Sequence, residues 1–122
     1  MPKIKEEKAR EKRIRDEIIV DTYDEMERAL SWYYYLEEKL NFPFLARCTG
    51  VRVISPLEKG DEVEVTGMAS EEECEHEMFV EIRWEKRPRA VPLSQLAGIN
   101  PDQESRQAIA DWHYWVKRGY QF

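Results

Sequence analysis

The sequence predicts a single α+β domain, with helices at both ends and a run of short antiparallel strands between them. Three observations lead there. Apolar residues recur at three- and four-residue steps over residues 21–40, the spacing of a helix face. Residues 61–68 and 78–84 alternate polar and apolar, the period of a half-buried strand. An Asn-Pro pair at 100–101 then opens a second segment of helical spacing.

Residues 1–15 form a basic N-terminal extension, read as a solvated charge run. A long helix is expected over 16–40, carried by Tyr23, Met26, Leu30, Tyr33, Leu36 and Leu40. Asp21 or Thr22 supplies its cap, with Glu25 three residues beyond Thr22 in a capping-box pattern. Pro43 forces Phe42 out of the helical region and ends it. The block Trp32-Tyr33-Tyr34-Tyr35 spans nearly every face of one turn, so this stretch is expected to pack on two neighbours.

Strands are then expected over Ala46–Ile54, with its β-branched Val51-Arg52-Val53-Ile54, and over Asp61–Met68, Met78–Trp84 and Arg89–Leu93. Turn residues at 55–60 and at Lys86-Arg87-Pro88 separate them, and Ser94-Gln95-Leu96 reads as one helical turn. Four or five short strands closed by such a turn follow the plan of a small SH3-like (Tudor-like) antiparallel barrel, spanning 45–98. A C-terminal helix over 101–118 presents Ala108, Ile109, Trp112, Trp115 and Val116 on one face and stops at Gly119.

Composition narrows the function. The chain is 42% hydrophobic and 36% charged, and no apolar run approaches the roughly 20 residues of a membrane span. The charged start has no apolar stretch behind it, so no secretory signal is read, and the expected location is cytoplasmic. Two cysteines are too few for a disulfide framework. The net charge of −6 is unevenly spread: residues 1–15 carry seven Lys/Arg against three Glu, residues 16–45 eight Asp/Glu against two Lys/Arg. Acidity disfavours nucleic acid, whose binding rests on phosphate contacts. A monomer without nucleic-acid or membrane partners is expected. No Ser/His/Asp order, phosphate-cradling Gly loop or His-Glu-x-x-His motif occurs, so no enzyme activity is expected.

The sharpest local feature is Ser70-Glu71-Glu72-Glu73-Cys74-Glu75-His76-Glu77, five carboxylates between two strands. Antiparallel connectivity sets the start of the first strand beside the end of the second. The loop should therefore lie next to 41–45, which hangs from the helix end at Glu37 and Glu38. A helix C-terminus adds unpaired carbonyls and about half a negative charge. Carboxylates and carbonyls are the oxygen donors of Ca²⁺, and crowded Glu side chains repel one another until a cation neutralises them. Mg²⁺ demands a stricter octahedron, and no EF-hand spacing is present. The expected metal ligands are Glu37, Glu38, Asn41, Glu72, Glu73 and Glu75, and the expected ion is Ca²⁺.

A set of motifs adds to this reading: Asp16-Glu17-Ile18-Ile19-Val20-Asp21, Trp32-Tyr33-Tyr34-Tyr35-Leu36-Glu37, Asn41-Phe42-Pro43-Phe44 and Ile54-Ser55-Pro56-Leu57, then Gly67-Met68-Ala69, His76-Glu77-Met78-Phe79-Val80 and Val91-Pro92-Leu93-Ser94-Gln95-Leu96. Over roughly residues 13–98 the chain resembles the small cyanobacterial calcium-binding protein family. The resemblance implies an acidic, non-enzymatic protein without EF-hands that buffers or senses intracellular Ca²⁺. It lays the family's acidic pair on Glu37 and Glu38, where the second residue is often Asp. Independently of the resemblance, a sensor would use the ion to stiffen a loop and so alter a surface read by a protein partner.

Two rival readings remain at this level. Cys48, Cys74, His76 and one Glu form a donor set that Zn²⁺ accepts, though no standard zinc spacing is present. An SH3- or Tudor-like interaction module without a metal would need Tyr33, Tyr34, Tyr35 and Trp84 exposed as an aromatic groove.

Overall fold

A computed structural model describes residues 5–122. In chain order it contains α1 (Lys8–Arg13), continued by a π-helical turn at Ile14–Ile18, and α2 (Glu25–Lys39). Strands β1 (Phe44–Cys48), β2 (Glu62–Met68), β3 (Phe79–Trp84), β4 (Arg87–Pro92) and β5 (Leu96–Gly98) follow, and α3 (Gln103–Lys117) closes the chain. One-turn 3₁₀ helices lie at Glu72–Cys74 and Leu93–Gln95.

The expected single helix over 16–40 is two helices. Asp21 adopts a left-handed φ of 57°, which a helix cannot carry, and the Thr22 hydroxyl bonds the Ile19 carbonyl at 2.6 Å. The cap of α2 is Asp24, whose Oδ1 accepts from the Glu27 amide at 2.8 Å. Similarly, Asp102 rather than Asn100 caps α3, its Oδ2 accepting from the Ser105 amide at 3.3 Å. Gly119 ends α3 as expected. At φ 82° it lets the Tyr120 amide reach the Trp115 carbonyl, and the Trp115 and Tyr120 rings meet at 4.9 Å, a Schellman motif with its apolar contact.

The five strands form one antiparallel sheet in the order β4–β3–β2–β1–β5. The sheet is open: β4 and β5 are its two edges, joined by the Leu93–Gln95 turn but not paired with each other, so the expected barrel is not closed. Glu85 and Lys86, both at positive φ, make the two-residue β3–β4 turn, so β4 starts at Arg87 and Pro88 falls on an edge strand, where its missing N–H costs least.

The β-branched stretch Val51–Ile54, expected to continue the first strand, is an exposed loop instead. Val51 is 71%, Val53 103% and Ile54 54% exposed. β1 ends at Cys48 because ladder partners run out there: its amide meets the Asp61 carbonyl, and the Thr49 amide turns to Gln95. Strand propensity reflects a half-buried sheet surface, and this loop has none to lie on.

α2 packs on α3 and β2, and α3 on β5 and the Leu93–Gln95 turn. Trp32 is fully buried between them, meeting Trp112 at 5.0 Å, Trp115 at 5.5 Å and Tyr35 at 5.9 Å in edge-on or tilted contacts. Val65, Val80, Ile82, Val91 and Leu96 supply the sheet's side of the core.

The described part of the basic extension is not a solvated tail. Asp111 of α3, with no exposed surface, accepts from Arg10 Nη1 and Arg13 Nη2 at 2.7 Å each, and from the Tyr35 hydroxyl at 2.9 Å. Tyr114 and Tyr120 both donate to Glu11, so α1 is bound along α3 by charge and hydroxyl contacts. Ile14 and Ile18, one turn on, are buried in the core.

His113 of α3 faces the Leu93 carbonyl at 3.4 Å. Burial holds its pKa below the usual histidine value near 6.5, with Lys117 adding to the effect. The unfolded chain therefore takes up this proton first as pH falls, and the His113 contribution to stability is lost on acidification below about 6.5. The urea midpoint is expected to drop between pH 7 and 5.5, and to drop less in a His113→Gln variant; parallel curves would remove His113 as the cause.

Candidate functional site

The acidic loop is fastened at three points, each dictated by a particular side chain. At its entry, the Tyr33 hydroxyl donates to the Ala69 carbonyl at 2.8 Å and the Tyr34 hydroxyl to Glu71 Oε1 at 2.6 Å. Within it, Ser70 and Glu73 exchange side chain and amide at 3.3 Å in both directions, a capping box that starts the 3₁₀ turn Glu72–Cys74. At its exit, Glu77 takes a two-pronged ion pair from Arg52 at 2.8 and 2.9 Å, plus the Ser94 hydroxyl at 3.1 Å.

These ties lay the loop along the first half and middle of α2, not against its C-terminal end. Between loop and helix runs a groove of 320 Å³. Its helix wall is Met26, Ala29, Leu30 and Tyr33, its loop wall includes Cys74 and His76, and Glu25, Glu71, Glu72 and Glu75 stand around it. At 1.5 Å per residue, Tyr33 lies roughly 10 Å back from the end of α2. Connectivity alone places the loop at the right end of the sheet; Tyr33 and Tyr34 decide which part of the helix it meets.

The six residues singled out from the sequence are distributed accordingly. Glu72 and Glu75 line the groove and are exposed. Glu73 is turned to the Ser70 amide. Glu37 is exposed one turn beyond the tyrosines: burial pushes the Tyr33 hydroxyl pKa up, and the charges of Glu37 and Glu71 raise it further. The Glu38 side chain is exposed and makes no hydrogen bond or ion pair among the described residues. Asn41 gives its amide to Ser105 Oγ at 2.9 Å and sits with Phe42, Pro43, Asn100 and Asp102 beside the start of α3. Sequence reasoning missed Glu25 and Glu71 as members of one rim. The spacing of Met26, Leu30 and Tyr33 with Glu25 beside them was the available signal.

Among the described residues, no three or more His, Cys, Asp or Glu side chains are gathered closely enough to enclose an ion. The donor set still fits a hard cation in kind, since every rim carboxylate is an oxygen donor. It fits Zn²⁺ poorly. The Cys48 thiol turns to the Gly50 carbonyl and the Cys74 thiol to the Phe79 backbone, and neither joins a cluster of metal-ligating side chains among the described residues. Burial also raises the Cys74 thiol pKa to about 11, so without a metal it is a neutral thiol. The aromatic-groove reading loses its main members as well, since Tyr33 is buried and Tyr35 and Trp84 are half-buried.

Fold and loop together define a small acidic α+β domain that presents oxygen donors outside any EF-hand. A protein-family model described as calcium binding, CcbP, matches residues 12–116. The structure is similar to the crystal structure of Anabaena CcbP, with a TM-score of 0.88, 40% identity and all of both chains covered. It is also similar to a calcium-binding protein solved in its calcium-binding form, with a TM-score of 0.84, 40% identity and 95% of each chain covered. No curated protein matches the sequence. The chain belongs to the CcbP calcium-binding family. The match takes in nearly all of α3, a segment outside the 13–98 span on which the sequence resemblance rested.

Proposed function

We propose that this protein binds Ca²⁺ reversibly and serves as an intracellular buffer or sensor of that ion. One observation carries the reading beyond family membership: an all-acidic rim, Glu25, Glu71, Glu72 and Glu75, built by fastening a carboxylate-rich loop along a helix. Glu72 and Glu75 are the first ligands proposed, with Glu71, Glu25 and Glu37 nearest to join them and Glu38, Glu73 and Asn41 as the remaining members of the set. When bound, the ion supplies charge neutralisation at a place where carboxylates otherwise repel.

The protein's own contribution is to bring the carboxylates together without closing them up. Glu71 is oriented by Tyr34 and Glu77 is spent on Arg52, so the loop is pinned at its ends while Glu72 and Glu75 can swing. A sensor is expected to bind in the roughly 10⁻⁷–10⁻⁵ M range and a cytosolic buffer more tightly. The test is calorimetric titration of metal-free protein with Ca²⁺ in physiological salt and millimolar Mg²⁺. Saturable binding of one or two ions is expected, weakened at least tenfold by Glu72→Gln with Glu75→Gln and unchanged by Glu85→Gln with Glu104→Gln. Equal losses from both pairs would reduce the effect to diffuse surface charge.

A further inference from the structure

The groove beside the acidic loop has chemistry that an ion does not use. Met26, Ala29, Leu30 and Tyr33 follow one another at helical spacing, so the helix wall is an apolar stripe about 10 Å long. Met26 is 70% exposed, so the stripe opens to solvent at its first residue. At 320 Å³ the groove lies at the small end of ligand pockets and takes one or two side chains rather than a whole cofactor. Among the described residues, no Lys or Arg lines it.

We infer that this groove is a docking site for a basic amphipathic helix of a partner protein, and that the partner competes with Ca²⁺ for Glu71, Glu72 and Glu75. Charge complementarity selects the occupant. An apolar stripe edged by four carboxylates matches a helix whose Leu-type side chains enter the groove, while its Lys and Arg stems lie along the wall and carry their charges to the rim. Two turns of such a helix span the stripe, and exposed Met26 is the kind of flexible, polarisable side chain that adapts to a partner. An anionic membrane and a nucleic acid are both repelled by the same rim. The docking half stands on the groove itself; the competition half rests on the Ca²⁺ reading above. Ions and lysines neutralise the same carboxylates, so each must lower the other's affinity by the same factor.

The probe is a fluorescently labelled helical peptide of about 18 residues with Lys and Leu at amphipathic spacing, titrated with the full chain and followed by anisotropy. Saturable one-to-one binding is expected in chelator, falling at least tenfold at saturating Ca²⁺. Met26→Ser with Leu30→Ala should lose at least tenfold in peptide affinity, with unchanged circular dichroism and an unchanged calorimetric Ca²⁺ titration. Equal binding of the peptide to that variant, or equal binding of a Glu-for-Lys peptide, would overturn the docking site. So would a dimer of the peptide-free protein in sedimentation that the double substitution dissolves, which would seat a second copy there. Peptide binding that persists at saturating Ca²⁺ overturns the competition alone. Absence of any Ca²⁺ heat with peptide binding intact would instead locate the failure in the Ca²⁺ reading.

Discussion

Trp32→Ala is expected to destabilise the domain by about 3–5 kcal/mol, the range for removing a buried large aromatic side chain. Trp32 has no exposed surface and meets three aromatic neighbours from two helices, so the space it leaves lies where α2 joins α3. For a chain of this length that loss corresponds to a fall in Tm of roughly 10–20 °C. Trp32→Phe should cost much less. It keeps an aromatic ring, and among the described residues the buried Trp32 indole N–H has no partner to lose. Thermal melts followed by far-UV circular dichroism measure both; an alanine variant within 1 kcal/mol of the parent would show that the helix interface does not depend on this ring.

Asp111→Ala is expected to cost about 3 kcal/mol and to release α1. The carboxylate is fully buried and serves three donors at once, so its removal strands two guanidinium groups and the Tyr35 hydroxyl together. The arginine side chains keep 23% and 25% exposure, so water recovers part of the loss, and the expected cost sits at the low end for broken buried ion pairs. Hydrogen exchange separates this outcome from general destabilisation: amides of residues 8–18 should lose protection before those of β2 and β3. Loss of protection in all elements together would mean that Asp111 holds the whole core rather than the N-terminal helix. Asp111→Asn, which keeps an acceptor, should fall between.

Much of the fold is legible in the sequence because it rests on local rules. Alternation marks β2 and β3, Pro43 ends α2, Gly119 ends α3, and the stripe from Ala108 to Trp115 faces the core. What local rules misjudge is decided by partners distant in the chain. Val51–Ile54 has strand propensity but no strand to pair with. Arg10 and Arg13 look like solvated charge until Asp111, about a hundred residues later, takes them up. The two helical segments before Pro43 read as one in the sequence, and the non-helical stretch 19–24, with left-handed Asp21 and extended Asp24, divides them. The site follows the same division. Five glutamates in one loop are evident at once, and the connectivity of β2 and β3 brings that loop to the helical side of the fold. Its position along α2 turns on the hydroxyls of Tyr33 and Tyr34, which no periodicity reports.

The clasp between α1 and Asp111 also has an order in time. A ribosome makes the arginines first and their carboxylate last, 98–101 residues apart. At about 5–20 residues per second, α1 waits for roughly 5–20 seconds of synthesis before its partner exists. Through that interval Ile14 and Ile18, buried in the finished fold, have no α3 to pack with. The arrival of α3 is therefore the event that fixes α1 in place.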